Sequence, residues 1–162
     1  FATSLAMVEN RIFMGNGNII SLILQDELLH KGWTGWIINQ VVKEDERFAK
    51  AQKECEQEVY DMYMDVIREE KEWADYLFKK GPVIGLNANI LKEFVDYTAL
   101  ESLKAIGIKY NEPAPRVSPI PWFNKHSDTS KKQTALQENE STNYVIGVMS
   151  ESLDYDDLPE LA

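Results

Sequence analysis

Through residue 111 the apolar positions recur at steps of three and four, the spacing that lines one side of an α-helix. Residues 1 to 14 are apolar and helix-compatible. They run into Gly15-Asn16-Gly17-Asn18, where two glycines interleaved with two asparagines predict a turn, with Asn18 as the cap of the next helix. That second helix is predicted from about Ile19 to Val42, locally weakened at Gly32 and Gly35, and Lys43-Glu44-Asp45-Glu46 marks the next break. A third runs from about Glu46 to Lys79. Its expected buried stripe is Phe48, Cys55, Val59, Met62, Val66, Trp73 and Leu77, and Gly81-Pro82 ends it. Asn87 or Asn89 then caps a fourth helix that reaches Ile106 and closes at Gly107. No strand alternation interrupts this pattern. The expected fold is all-α, with helices long enough to form a bundle.

The pattern changes at Glu112. Pro113, Pro115, Pro119 and Pro121 exclude a helix interior, and Pro119-Ile120-Pro121-Trp122-Phe123 is expected to lie extended across the bundle with Trp122 and Phe123 as anchors. The chain thus divides into three segments: 1–111 as the bundle, 112–124 as a proline-rich strap packed on it, and 125–162 as a flexible acidic tail. Residues 125 to 143 are polar and lack an apolar period. Apolar side chains return at Tyr144-Val145-Ile146-Gly147-Val148-Met149 and then at Leu153, Tyr155, Leu158 and Leu161, as in a segment that inserts side chains into a partner's groove.

Charge sharpens that division. The 162 residues carry a formal net charge of −10. No Lys or Arg follows Lys132 but seven acids do, so the first 132 residues hold 17 bases against 20 acids. A near-neutral body with an acidic tail argues against a basic phosphate-binding surface, and so against nucleic acid as a direct partner. Cys55 is the only cysteine, which rules out an intrachain disulfide. On the expected core face it reads as a small hydrophobe in a reducing compartment. No apolar run approaches the ~20 residues of a membrane span. Phe1-Ala2-Thr3-Ser4-Leu5 has neither an initiator Met nor a basic leader region and reads as the middle of a helix, so the chain is expected to be part of something longer.

The candidate chemistry lies in Gln25-Asp26-Glu27-Leu28-Leu29-His30. Glu27 and His30, three apart, project one above the other from a helix face that also carries Ile20, Ile23, Thr34 and Ile37. Burial of both among apolar residues is costly without a partner, and Glu-x-x-His on a bundle helix is a ligand arrangement of di-iron and di-manganese carboxylate proteins. The alternative is a buried polar pair satisfied by hydrogen bonds. Two ligands do not complete a site. In a straight helical continuation Glu9 lies about 27 Å from Glu27. If the chain reverses at the Gly-Asn turn, the level opposite Glu27 falls near residue 5, and residues 1 to 8 hold no acid.

Five ordered landmarks then bring out a resemblance: Glu9-Asn10-Arg11-Ile12-Phe13-Met14-Gly15, Gln25 to His30, Glu72-Trp73-Ala74-Asp75-Tyr76-Leu77-Phe78, Ile84-Gly85-Leu86-Asn87 and Pro119-Ile120-Pro121-Trp122. Together they resemble the C-terminal half of the small, radical-generating subunit of class I ribonucleotide reductase. The resemblance implies a partial ferritin-like bundle followed by an extended, largely disordered tail. It implies that Glu27 and His30 are ligands of a dinuclear iron centre, with manganese as the alternative metal, incomplete in this chain. It makes Asp26 an acid that hydrogen-bonds a ligand His and helps carry the radical, Phe1 and Ile23 part of the apolar pocket around the radical tyrosine, and Tyr144 and Glu138 radical-transfer residues of the tail. Without the resemblance Tyr144 would be only an anchor, and Trp73 and Tyr76 remain packing residues. Implied partners are the large, catalytic subunit, engaged through the tail, and a second small subunit in a homodimer; the implied location is the cytoplasm. The remaining ligands, the first Glu-x-x-His and the radical tyrosine would lie before Phe1. Gln25 stands where some members have Arg, and Leu158-Pro159-Glu160-Leu161-Ala162 lacks the aromatic residue frequent near the family's end. Two other readings stay open: another ferritin-like di-iron oxidase or oxygenase, and a non-catalytic piece that binds the large subunit through its tail.

Overall fold

The computed structural model describes residues 1–83 and 85–127, which form four α-helices and one short 3-10 helix. Among the described residues there is no strand, only a bridge between Val83 and Leu86 around a turn that holds Gly85 at φ +81°. The helices are α1 (Ala2–Glu9), α2 (Met14–Glu44), α3 (Glu46–Leu77) and α4 (Ala88–Ala105).

The break between α1 and α2 is not at Gly15–Asn18, as the glycines and asparagines suggest, but at residues 10–13. Asn10 stops α1 by donating its side-chain amide to Ala6 O (2.7 Å), and Arg11 and Phe13 take positive φ values of 60° and 54°. The Gly-Asn run lies inside α2. Gly17 is there for proximity: a Cβ on it would stand 3.2 Å from Val8 Cβ and closer still to Val8 Cγ2. A glycine that lets two helices touch looks, in sequence, like a glycine that turns the chain. Asn18 is accordingly an exposed helical residue, not a cap.

Other boundaries follow the punctuation. Asp45 caps α3, accepting from Arg47 N at 2.8 Å, while the Arg47 guanidinium pairs with the same carboxylate at 2.6 Å. Asn87, not Asn89, caps α4 by accepting from Ile90 N at 3.0 Å. Gly107, at φ +81°, ends α4, and Ile108 N donates back to Leu103 O. The carbonyls left over at that end are taken by neighbouring helices. Asn39 of α2 donates to Ala105 O (2.8 Å), and Gln52 of α3 donates to Ile106 O (3.0 Å).

Two apolar clusters tie together α1, α3, α4 and the proline-rich strap, and α2 contributes to neither. One gathers Ala2, Ala6, Ala74, Leu86, Leu91 and Ile120; the other gathers Ile67, Ala99, Leu103, Ile108 and Tyr110. On α3 this corrects the expected stripe. Val59 and Leu77 do pack, but Phe48, Met62, Val66 and Trp73 are exposed and Cys55 is a free, exposed thiol. At about 100° per residue, Ile67 and Ala74 lie roughly a quarter turn from the Phe48–Trp73 line. The apolar arc of α3 is wide enough for two contacts, and α4 covers one half of it. Trp73 and Tyr76 stack on each other, with ring centroids 5.3 Å apart, on the uncovered side.

The proline-rich strap also differs from expectation. Pro121–Lys125 winds into a 3-10 turn instead of lying extended, with proline supplying the fixed φ of a first helical position. Ile120, 1% exposed, is its deepest anchor; Trp122 and Phe123 are partly buried, and Phe123 meets Phe94 at 4.9 Å.

Candidate metal centre

Helix α2 is apolar on nearly every side. Leu24 and Gln25 face inward and are buried, Leu28 is partly covered, and Ile19, Ile23, Leu29, Trp33, Trp36 and Ile37 are exposed. A helix of this kind ordinarily lies inside a larger core. Its polar interruption is the group Asp26, Glu27 and His30.

Glu27 and His30 do stand side by side, His30 Nδ1 lying 3.5 Å from Glu27 Oε2. That distance is at the outer edge of a hydrogen bond, so the pair is adjacent without being locked together. With only this chain around them, however, the pair is open: the Glu27 side chain is 56% exposed and that of His30 73%. The Ile and Leu neighbours expected to bury them are themselves partly or largely open to solvent, because the described part of the chain places nothing over this face. Asp26, about 100° around the helix from Glu27, is also exposed. Phe1 and Ile23 are exposed as well, so among the described residues no apolar pocket closes around them.

As metal donors, a carboxylate and an imidazole three residues apart suit iron, manganese or another first-row ion, but two donors leave most of a coordination shell unfilled. Among the described residues no group of three or more His, Cys, Asp or Glu is placed to hold a metal ion. The pair therefore fits half of a carboxylate-bridged site. Glu9 does not supply a third ligand. It is turned toward the strap, where its carboxylate meets Lys125 and His126, and although burial works against its charge these bonds leave its pKa below the usual value. Glu138 and Tyr144 lie outside the described residues.

Two polar clusters have no counterpart among the sequence expectations. His126 bonds Glu9 and Ser21 across separations of 117 and 105 residues. Tyr110, almost fully buried, donates its hydroxyl to Asp96 Oδ1 at 2.7 Å, and Lys71 holds the same oxygen at 2.7 Å. Burial, then the Asp96 carboxylate, pushes the Tyr110 phenol well above its ordinary pKa. Neither cluster has a local motif; only the tertiary fold assembles them.

The described residues form an all-helical fold with a Glu-x-x-His face, and comparison with known proteins gives the family. Residues 1–115 match the family model for the ribonucleotide reductase small chain. The chain belongs to that family. It is 39% identical over 160 residues to ribonucleoside-diphosphate reductase 1 subunit beta of Salmonella typhimurium, an alignment that covers 98% of this chain and 42% of the relative. It is 38% identical to the subunit beta of Haemophilus influenzae, with 100% and 43% covered, and 36% identical to that of Enterobacteria phage T4, with 88% and 38% covered. The chain thus spans about two fifths of the length of these relatives.

Proposed function

We propose that this chain contributes the C-terminal part of a ribonucleotide reductase small subunit with a ferritin-like bundle. The intact subunit generates a tyrosyl radical at a dimetal centre and passes it to the large subunit, which reduces ribonucleoside diphosphates to deoxyribonucleoside diphosphates for DNA synthesis. The observation that carries this reading is the open Glu27–His30 pair on a helix apolar almost all round, in a chain of this family. Glu27 and His30 would hold one side of the centre. The iron or manganese, when bound, supplies the redox equivalent that a protein side chain cannot. The remaining donors come from the part of the subunit to which this chain does not correspond, and covering α2 with it buries Ile23, Ile37, Trp33 and the metal pair together.

In this reading Asp26 is a hydrogen-bonding and radical-carrying acid, Phe1 and Ile23 complete an apolar shield for the radical, and the tail docks on the large subunit with Tyr144 and Glu138 in the transfer route. The three-part organisation 1–111, 112–124 and 125–162 belongs to the same reading, with the intact subunit a homodimer in the cytoplasm. No helix among the described residues is long and apolar enough to cross a membrane.

Reassembly tests the proposal. Mixing the chain with the complementary N-terminal part, iron and oxygen should yield a tyrosyl radical signal in electron paramagnetic resonance, and adding the large subunit should yield deoxyribonucleotide. Deleting residues 138–162 should abolish the second result and spare the first. A radical signal that survives Glu27→Ala and His30→Ala together would refute the assignment of the centre. No radical in any mixture would leave the chain a large-subunit-binding piece without catalysis.

A further inference from the structure

Away from Glu27 and His30, one polar cluster ties together three distant parts of the chain. His126 directly follows the 3-10 turn Pro121–Lys125. Its Nε2 lies 2.7 Å from Glu9 Oε1 at the end of α1, and its Nδ1 lies 3.2 Å from Ser21 Oγ on α2. Lys125 Nζ pairs with the other carboxylate oxygen, Glu9 Oε2. The side chains of His126 and Glu9 are only 14% and 22% exposed, and the edge of Trp122 stands against the imidazole with ring centroids 6.5 Å apart. A neutral imidazole protonated on Nε2 satisfies both partners, Nε2–H donating to the carboxylate while Nδ1 accepts from the Ser21 hydroxyl.

We propose that Glu9, Ser21 and His126 form a latch across the α1–α2 elbow, which both holds that elbow in shape and pins the 3-10 turn Pro121–Lys125 to it. The elbow needs such a device. Between Glu9 and Ser21 the chain contains two non-glycine residues at positive φ, Arg11 and Phe13, a conformation that persists only where surrounding structure enforces it. His126 places one bond on either side of this strained stretch. Val8 against Gly17 closes the elbow from its apolar side, and the imidazole closes it from the polar side.

The latch sets the start of α2. Glu27 lies six residues beyond Ser21 on the same helix, so His126 is a positioning residue for the ligand-bearing helix relative to α1. This holds whether or not the tail engages a large subunit.

The test is hydrogen exchange on the full chain together with limited trypsin cleavage after Lys125. His126→Ala should raise cleavage after Lys125 and exchange at residues 10–17 about tenfold each, with exchange in α4 unchanged as the internal reference. Glu9→Ala should do the same. His126→Gln should retain most of the protection, since its amide can donate and accept at the same two places. Unchanged cleavage and exchange in both alanine variants would overturn the latch. A rise at 121–127 without one at 10–17 would refute the hold on the elbow. An equal rise throughout α4 would show general unfolding and reject a local device.

Discussion

Two glycines in one turn of α2 should respond to the same substitution with opposite signs. Gly15 and Gly17 both lie inside the helix, where alanine is favoured over glycine by about 1 kcal/mol. A Cβ on Gly15 meets nothing within 4 Å, so Gly15→Ala should stabilise the chain by up to about 1 kcal/mol, less if the first turn frays. A Cβ on Gly17 instead runs into Val8, at 3.2 Å from Val8 Cβ and 3.4 Å from Cγ1 with Cγ2 nearer. Val8 is β-branched on a helix, where one χ1 rotamer dominates, so it cannot swing clear. Overpacking of this kind costs about 1–3 kcal/mol against a propensity gain of about 1, which leaves Gly17→Ala destabilised by up to about 2 kcal/mol. Urea unfolding of the full chain reads both. With a slope of about 1–3 kcal/mol per molar, the midpoints should move in opposite directions by some tenths of a molar to about 1 M. Val8→Ala combined with Gly17→Ala should show a favourable coupling of about 1 kcal/mol. If Gly15→Ala destabilised as strongly as Gly17→Ala, residues 15–18 would be a turn and the elbow at 10–13 would be wrong.

The remaining expectations concern charge and metal. Because the Glu9 carboxyl is held below its ordinary value, its share of stability is complete above about pH 4.5 and is lost as pH falls through the folded-state value; acid unfolding of Glu9→Gln should show a shallower pH dependence there. The Tyr110 phenol is held above its ordinary value, so its stabilising contribution is present below about pH 10 and fades as pH rises toward the folded-state value. Tyr110→Phe should remove a component of the ultraviolet phenolate titration that lies above the ordinary phenol range. It should cost about 1–3 kcal/mol in thermal or urea unfolding, since the bond lost is to a carboxylate. Calorimetric titration with Mn²⁺ should find weak binding by the full chain that His30→Ala abolishes. Tight binding of two ions per chain would show that residues other than Glu27 and His30 complete the centre.

Features with a local cause were legible in the sequence. Gly81-Pro82, Asn87 and Gly107 act within a few residues of themselves, and the structure uses each as expected. The spacing of Glu27 and His30 placed them together for the same reason. Gly17 was misread because its cause, Val8, lies across an elbow whose position depends on the Asn10 side chain. Cys55 and its neighbours on α3 were assigned to the core because periodicity reports how wide an apolar arc is, not which half a neighbour covers. His126 carried no signal at all, since its partners are more than a hundred residues away.

The uncovered faces of α2 and α3 also bear on how the chain survives in a cell. Trp33, Trp36, Ile37, Phe48, Met62 and Trp73 present the kind of surface that chaperones hold and quality-control proteases act on. Each becomes inaccessible only once something is laid over it. In a cell, loss to those systems therefore competes with whatever covers these faces, a lever for stoichiometry control written into two helix surfaces.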